Sequence, residues 1–277
     1  MRHQAQRKRP QFVLVSGAAG GVGSATARRF REDGAEVAIT DIDEDGLRRI
    51  VDEIDALAVP ADGTKRDALK EAVERTVAQF GALDTLIAAQ GATSSGIASP
   101  KGDGAWFRAL DVNLTGAFFL ASEALPHLVR RRGSIVMISS TAGIFAGPPG
   151  TVGYTAAKSG VIGLVRWLAR DFGPRGVRVN AICPGWVRTA LADDAMAYLA
   201  RRDGITPEEA YRVAASHVPL RRAADPDEIA SVCAFLASAD ASMVTGHALV
   251  VDGGSSVVDP TTIVLDPPAD DFERNRA

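Results

Sequence analysis

Short apolar runs alternate along the chain with longer stretches whose apolar positions recur at helical spacing. Phe12–Val15, Glu36–Thr40, Leu57–Ala61, Leu83–Ala89, Ser134–Ser139, Val177–Ile182 and Ala248–Val251 predict strands. Between them, Val22–Asp33, Asp45–Asp55, Lys65–Phe80, Trp106–Arg131, Tyr154–Phe172 and Asp227–Ala237 predict helices, the first closing near Gly34. Strands of near-continuous Val, Ile, Leu and Ala leave no face for water, so they belong in a parallel sheet covered by helices on both sides. The expectation is a single doubly wound α/β domain over residues 11–254, with a parallel sheet of about seven strands. Residues 188–225 carry no strand pattern and read as a helical excursion, a lid over the site. Residues 1–10 read as a basic flexible tail and 255–277 as an extension beyond the domain.

Composition narrows the function classes. With 277 residues and 46% hydrophobic content, the chain can bury a large core. A net charge of −3 gives no reason to expect nucleic acid or an anionic membrane as partner. Two cysteines, Cys183 and Cys233, without CxxC spacing argue against a disulfide framework, and four scattered histidines against a zinc site, so no metal is expected. The longest uncharged run, Gly133–Ala157, is rich in Ser and Thr and broken by Gly147, Pro148, Pro149 and Gly150, which disfavours a membrane span. The apolar run Phe12–Val15 is too short for a signal peptide, so a cytoplasmic location is expected.

The first strand runs into Ser16-Gly17-Ala18-Ala19-Gly20-Gly21-Val22-Gly23 and then a helix. In that context glycines let the backbone turn sharply and approach a pyrophosphate, which the free N–H groups of the helix start can hold. Gly17, Gly21, Val22 and Gly23 are the candidate contacts, in a Rossmann-type arrangement. Asp41, at the end of the second strand, suits the hydroxyls of an adenosine ribose and repels a 2′-phosphate. The glycine turn contains no Lys or Arg. NAD is therefore expected over NADP. Asp62, after the third strand, is a candidate for the adenine edge.

Tyr154 and Lys158 lie four residues apart, on one helix face. A free tyrosine is a poor base at neutral pH, and a nearby ammonium favours the phenolate. A tyrosine tuned in this way exchanges a proton with an alcohol or ketone oxygen. Ser139 and Ser140 end the fifth strand, where ligands sit in such sheets. Asn113, judged on its helical position alone, faces solvent.

Together these motifs resemble the short-chain dehydrogenase/reductase family, from about Phe12 to Gly254. Ser16–Gly23 resembles its TGxxxGxG, Asn113-Leu114-Thr115-Gly116 its helix motif, Ser140 its strand-end serine and Tyr154–Lys158 its YxxxK. Pro184-Gly185 resembles its PG motif, and Val244–Gly254 its closing segment. The resemblance implies an NAD-dependent oxidoreductase that moves a hydride between a secondary alcohol or ketone and nicotinamide. It makes Tyr154 the acid/base, Lys158 its tuner and ribose ligand, Ser140 the orienter of the substrate oxygen and Asn113 the anchor of a water relay. It also implies contacts to the cofactor at Gly91, Pro184, Gly185, Val187 and Thr189, and assembly as a homotetramer through the two long helices. The rival reading is a catalytically silent dinucleotide sensor of the same fold, against which the full set of four site residues argues.

The chain departs from the family pattern in three places. Ser16 replaces a threonine. Ala88-Ala89-Gln90-Gly91 stands where the family has NNAG, which removes the asparagines' bracing of the sheet. The interval from Ser140 to Tyr154 is one residue longer and contains Pro148-Pro149. Thr93, Phe145, Trp186 and Leu191 are the candidate substrate-pocket residues. In the extension, Thr261–Leu265 is apolar and β-branched and bracketed by prolines, so it is expected to dock on protein, over its own site or across a subunit boundary.

Overall fold

The computed structural model describes residues 11–92 and 103–265. Seven parallel strands form one sheet: β1 (Phe12–Ser16), β2 (Glu36–Thr40), β3 (Leu57–Ala58), β4 (Thr85–Ala88), β5 (Ser134–Ile138), β6 (Arg178–Pro184) and β7 (Ala248–Val251), in the order β3-β2-β1-β4-β5-β6-β7. β1 therefore has β2 on one side and β4 on the other, with Val13 level with both Val37 and Thr85. Chain order reverses at this point, and a crevice opens at the carboxyl ends of the strands.

Side chains alternate across the sheet, and both faces are apolar. Leu14 packs with Leu86 and Ile135 under α3 (Arg66–Phe80), α5 (Gly116–Arg131) and α6 (Val152–Phe172), through Val73, Leu120, Leu128 and Val165. Val13 and Val15 face the opposite way, onto α1 (Gly21–Glu32), α2 (Glu44–Ile54) and α9 (Pro226–Ala237), through Phe30, Leu47, Ile229 and Leu236. Each such fully buried side chain contributes about 1.5–3 kcal/mol, so the sheet is held from both sides. Arg178 adds a polar brace. Its guanidinium donates to the carbonyls of Leu236 at 2.6 Å, Ala237 at 3.1 Å and Ser238 at 3.0 Å, capping the end of α9.

Two elements differ from expectation. β3 ends at Ala58, although Val59 and Ala61 still donate to Ile39 and Asp41 carbonyls. Pro60 lies between them with its nitrogen toward the free edge of the sheet, where a missing N–H costs no bond to β2. The long helix expected over Trp106–Arg131 is divided into α4 (Asp103–Leu110), a π-helical turn (Asp111–Thr115) and α5. In that turn Gly116 N donates five residues back, to the Asp111 carbonyl. The Asn113 side chain enters the ladder and donates to the Ala109 carbonyl at 2.9 Å.

The excursion between β6 and α9 is helical, with α7 (Ala190–Asp203) and α8 (Pro207–Ala214) packed through Met196, Ala200 and Tyr211. Arg188 makes a bidentate pair with Glu208, 2.8 Å at each contact, and lies over the Tyr211 ring. In the extension, Ile263 is half-buried, whereas Val264 and Leu265 remain 84% and 80% exposed on the single chain. Before this stretch, Val258 is half-buried and Pro260 exposed. No helix among the described residues is long and apolar enough to cross a membrane.

Candidate active site

The glycine turn at the end of β1 is shaped by contacts that a side chain would destroy. A Cβ on Gly23 would lie 2.1 Å from the Gly17 carbonyl oxygen, and one on Gly17 would lie 2.5 Å from Gln90 N. A Cβ on Gly21 would lie 2.7 Å from Thr189 Cγ2, which places Thr189 against the turn. Gly20 caps α1 without a side chain, and the first turn of α1 contains no acidic residue. Its N–H groups thus meet the crevice with their partial positive charge uncompensated. Asp41 borders the same turn. Its carboxylate accepts from Ala19 N and Asp43 N, both at 3.1 Å, which fixes its position.

The bracing expected to be lost with the NNAG asparagines is replaced. Ser16 Oγ donates to Gln90 Oε1 and ties β1 to the segment after β4. Among the described residues, the buried side-chain polar atoms left without a partner are Gln90 Nε2, two residues past β4, and Thr40 Oγ1, on the last residue of β2. A crevice with a bare helix start, a fixed carboxylate just past β2 and glycines that leave the backbone open to close approach fits a dinucleotide. Asp62 is engaged locally. Its Oδ1 accepts from Thr64 N at 2.9 Å and from Thr64 Oγ1 at 2.8 Å, and these bonds hold its carboxyl below the usual range.

The chemical end is assembled from side chains. Lys158 is buried, 3% exposed, and its Nζ donates to the Ile138 carbonyl at 2.8 Å. Ser139 Oγ donates to the Lys158 carbonyl at 2.8 Å, pinning α6 to the end of β5. The ammonium lies 5.6 Å from the centre of the Tyr154 ring. Burial lowers Lys158 from 10.5 to about 8. Burial also pushes the Tyr154 phenol up, and a hydrogen bond with Ser140 opposes that rise. Here the structure departs from the sequence expectation: in the free protein, desolvation outweighs any help the phenolate receives from Lys158.

Asn113, expected from its helix position to face solvent, is 1% exposed. Its amide donates to the Ala92 carbonyl at 2.9 Å, and its Oδ1 accepts from Ala92 N at 3.3 Å. Gly91 sits between the two groups: a Cβ there would be 3.4 Å from Asn113 Oδ1 and 3.6 Å from Lys158 Nζ. Sequence spacing gives no sign of this, because the π-helical turn is what rotates Asn113 inward.

In front of Ser140 and Tyr154 lies a cavity of about 1160 Å³. Phe145, Trp186 and Leu191 line it together with Val22, Pro184, Gly185, Val187 and Thr189. Thr93 lies outside the described residues. The sequence reading missed Asp194 and Tyr198 on α7, Val218 in the excursion, and Val258 and Pro260 in the extension. The α7 residues were recoverable, since Leu191, Asp194, Ala195 and Tyr198 share one helical face.

Comparison with known proteins places this fold and site among nicotinamide-dependent oxidoreductases. The family model described as enoyl-(acyl carrier protein) reductase matches residues 17–256. The 3-oxoacyl-(acyl-carrier-protein) reductase FabG of Thermotoga maritima is 36% identical over 238 residues, 84% of this chain and 92% of that one. The meso-2,3-butanediol dehydrogenase of Serratia marcescens is 33% identical over 235 residues, 84% of this chain and 89% of that one. Among solved structures, the aldohexose dehydrogenase of Thermoplasma acidophilum superposes with a TM-score of 0.85 at 32% identity, covering 94% of this chain and 98% of that one. An actinorhodin polyketide ketoreductase solved with NADPH gives 0.84 at 31% identity, covering 90% of this chain and 98% of that one. The chain belongs to the short-chain dehydrogenase/reductase family, whose members act on CH–OH or ketone groups with a nicotinamide dinucleotide.

Proposed function

We propose that this protein is an NAD-dependent dehydrogenase/reductase of secondary alcohols and ketones, with Tyr154 as its acid/base. The observation that carries the reading is the convergence of Ser140, Tyr154, Lys158 and Asn113 around one end of a crevice whose other end fits a dinucleotide. When bound, the nicotinamide supplies the hydride acceptor or donor. The protein's part is to place the substrate oxygen and move its proton. Ser140 Oγ orients that oxygen, and the Tyr154 phenolic oxygen exchanges the proton with it. In the free protein burial keeps Tyr154 protonated, the state that reduction of a ketone requires. Lys158 holds the ribose and supplies positive charge beside the phenol. Asn113 fixes the backbone at Ala92 and anchors the path by which the proton reaches solvent. Gly17, Gly21, Val22, Gly23, Gly91, Pro184, Gly185, Val187 and Thr189 form the cofactor wall, with Asp62 near the adenine. Helices α7 and α8 form the lid.

NAD is favoured because Asp41 is fixed against the glycine turn, where a 2′-phosphate would meet its charge. The second reading, NADP, is motivated by the ketoreductase relative solved with NADPH. A panel of secondary alcohols and ketones assayed with each nucleotide separates these readings: turnover faster with NAD supports the first, and faster with NADP the second. A chain that binds nucleotide and turns over nothing with either would be the silent sensor. Assembly as a homotetramer through α5 and α6 is proposed on the same footing. Leu120 and Leu168 are buried toward the sheet, whereas Phe118 and Trp167 stay 41% and 59% exposed on the outer faces. Sedimentation as a monomer at micromolar concentration would contradict it.

A further inference from the structure

The family match ends at residue 256, yet the cavity wall continues beyond it, through Val258 and Pro260. This piece of wall is fastened on its N-terminal side and closed by a local turn. Before it, Asp252 accepts from Gly254 N at 2.8 Å, Ser255 Oγ at 2.9 Å and Ser256 N at 2.7 Å. Leu220 N donates to the Gly253 carbonyl at 3.1 Å, tying the start of the extension to the excursion between β6 and α9. Within it, Asp259 accepts from Thr261 N at 2.9 Å and Thr261 Oγ1 at 2.7 Å, which closes a second turn. Val258 and Pro260 thus line the same cavity as Ser140 and Tyr154.

The chemistry of the lining says what the wall accepts. Its large apolar members are Phe145, Trp186, Leu191, Val218, Val258 and Pro260. Three charged side chains also line the cavity, Asp194, Arg222 and Asp252. Arg222 is neutralised by a bidentate pair with Glu228, at 2.5 and 2.6 Å. The Asp252 carboxylate is taken up by its own turn. Asp194 has no hydrogen-bond or ion-pair partner among the described residues. The lining therefore offers an anionic handle no unengaged cation, and the charge that remains is negative.

We propose that Val258 and Pro260 are specificity-determining residues that close the outer wall of the substrate cavity and select neutral, largely apolar alcohols and ketones over anionic ones. This rests on the oxidoreductase reading for its substrate class, but the wall can be tested by binding alone. The probes are a neutral dimethylaminonaphthyl ketone and a naphthalenesulfonate of similar ring size, with binding read from their emission. The full chain should bind the ketone more tightly than the sulfonate, by about tenfold or more. V258W should weaken ketone binding by about tenfold, because the indole fills the space the ring would take. Truncation after Val257 removes the wall and should weaken ketone binding by a similar factor, while NAD affinity in both variants stays within about twofold. Unchanged ketone affinity in both variants, with circular dichroism matching the full chain, would overturn the proposal, as would a sulfonate bound as tightly as the ketone. If the ketones bind in the expected pattern and neither reduced nucleotide reduces any of them, the oxidoreductase reading fails and the wall stands.

Discussion

At the glycine end of the crevice, ligand contact is prepared by removing side chains; at the α6 end, it is prepared by burying polar ones. The turn Ser16–Gly23 keeps its shape because Gly17 and Gly23 approach backbone that a Cβ would strike, and what it presents to the crevice is the backbone N–H groups at the start of α1. The α6 end holds a lysine out of water, an asparagine inside a distorted helix and a tyrosine whose phenol is raised by desolvation. The first end is shaped by backbone contacts, with Thr40 Oγ1 and Gln90 Nε2 beside it buried without a partner. The second stores unfavourable solvation that a bound ligand can relieve, which is where a site gains its chemistry at the expense of stability.

The comparison can be broken at either end. The largest effect is expected for Gly23→Ala. The added carbon would lie 2.1 Å from the Gly17 carbonyl oxygen, so the turn must move. About 2–4 kcal/mol should be lost between fold stability and nucleotide affinity, read by thermal melting and by titration. Retained affinity and melting temperature would mean the turn is not the rigid element described. Next comes Asp41→Ala, expected to weaken NAD by about 1.5–3 kcal/mol and to narrow the gap to NADP. Equal losses for the two nucleotides would remove Asp41 from the recognition of the ribose.

Lys158→Met tests the other end by its sign. Lys158 titrates at about 8 instead of 10.5, so at neutral pH the folded protein carries a charge it would rather lose. Methionine should therefore stabilise the ligand-free protein at pH 7, by about 1–3 kcal/mol, while disabling turnover. Between pH 8 and 10.5 the unfolded chain holds the proton more tightly than the folded one, so wild-type stability rises across that window and the advantage of the variant shrinks. Denaturant titrations at pH 7 and pH 9 check both statements, and a variant less stable than wild type at pH 7 contradicts them. The smallest effect is expected for Asp62→Ala, about 0.5–1.5 kcal/mol in nucleotide affinity, because much of this carboxylate serves its own turn.

The glycine end was legible in the sequence because its signals are local. A strand, a run of glycines, a helix and an acid at the end of the next strand lie in one βαβ unit. Tyr154 and Lys158 were legible for the same reason, being one helical turn apart. Asn113 was not, since its burial depends on the Asp111–Thr115 π-helical turn, which no helical periodicity announces. Gln90 was read only as a lost motif, because its reach to Ser16 spans two neighbouring strands. The apolar stretch Thr261–Leu265 drew attention by composition, yet the residues that line the cavity, Val258 and Pro260, come just before it.

The central claim is that the proton moves at Tyr154 while the nucleotide is held elsewhere, and Tyr154→Phe tests it most directly. Turnover of the best substrate of the panel and nucleotide affinity are measured in the same variant. Turnover should fall by about 10²–10⁴-fold, the range general acid/base catalysis supplies. Nucleotide affinity should stay within about twofold, because the phenolic oxygen that is removed serves the substrate. A variant that turns over at near wild-type rate, or one that loses nucleotide binding along with activity, would contradict the account.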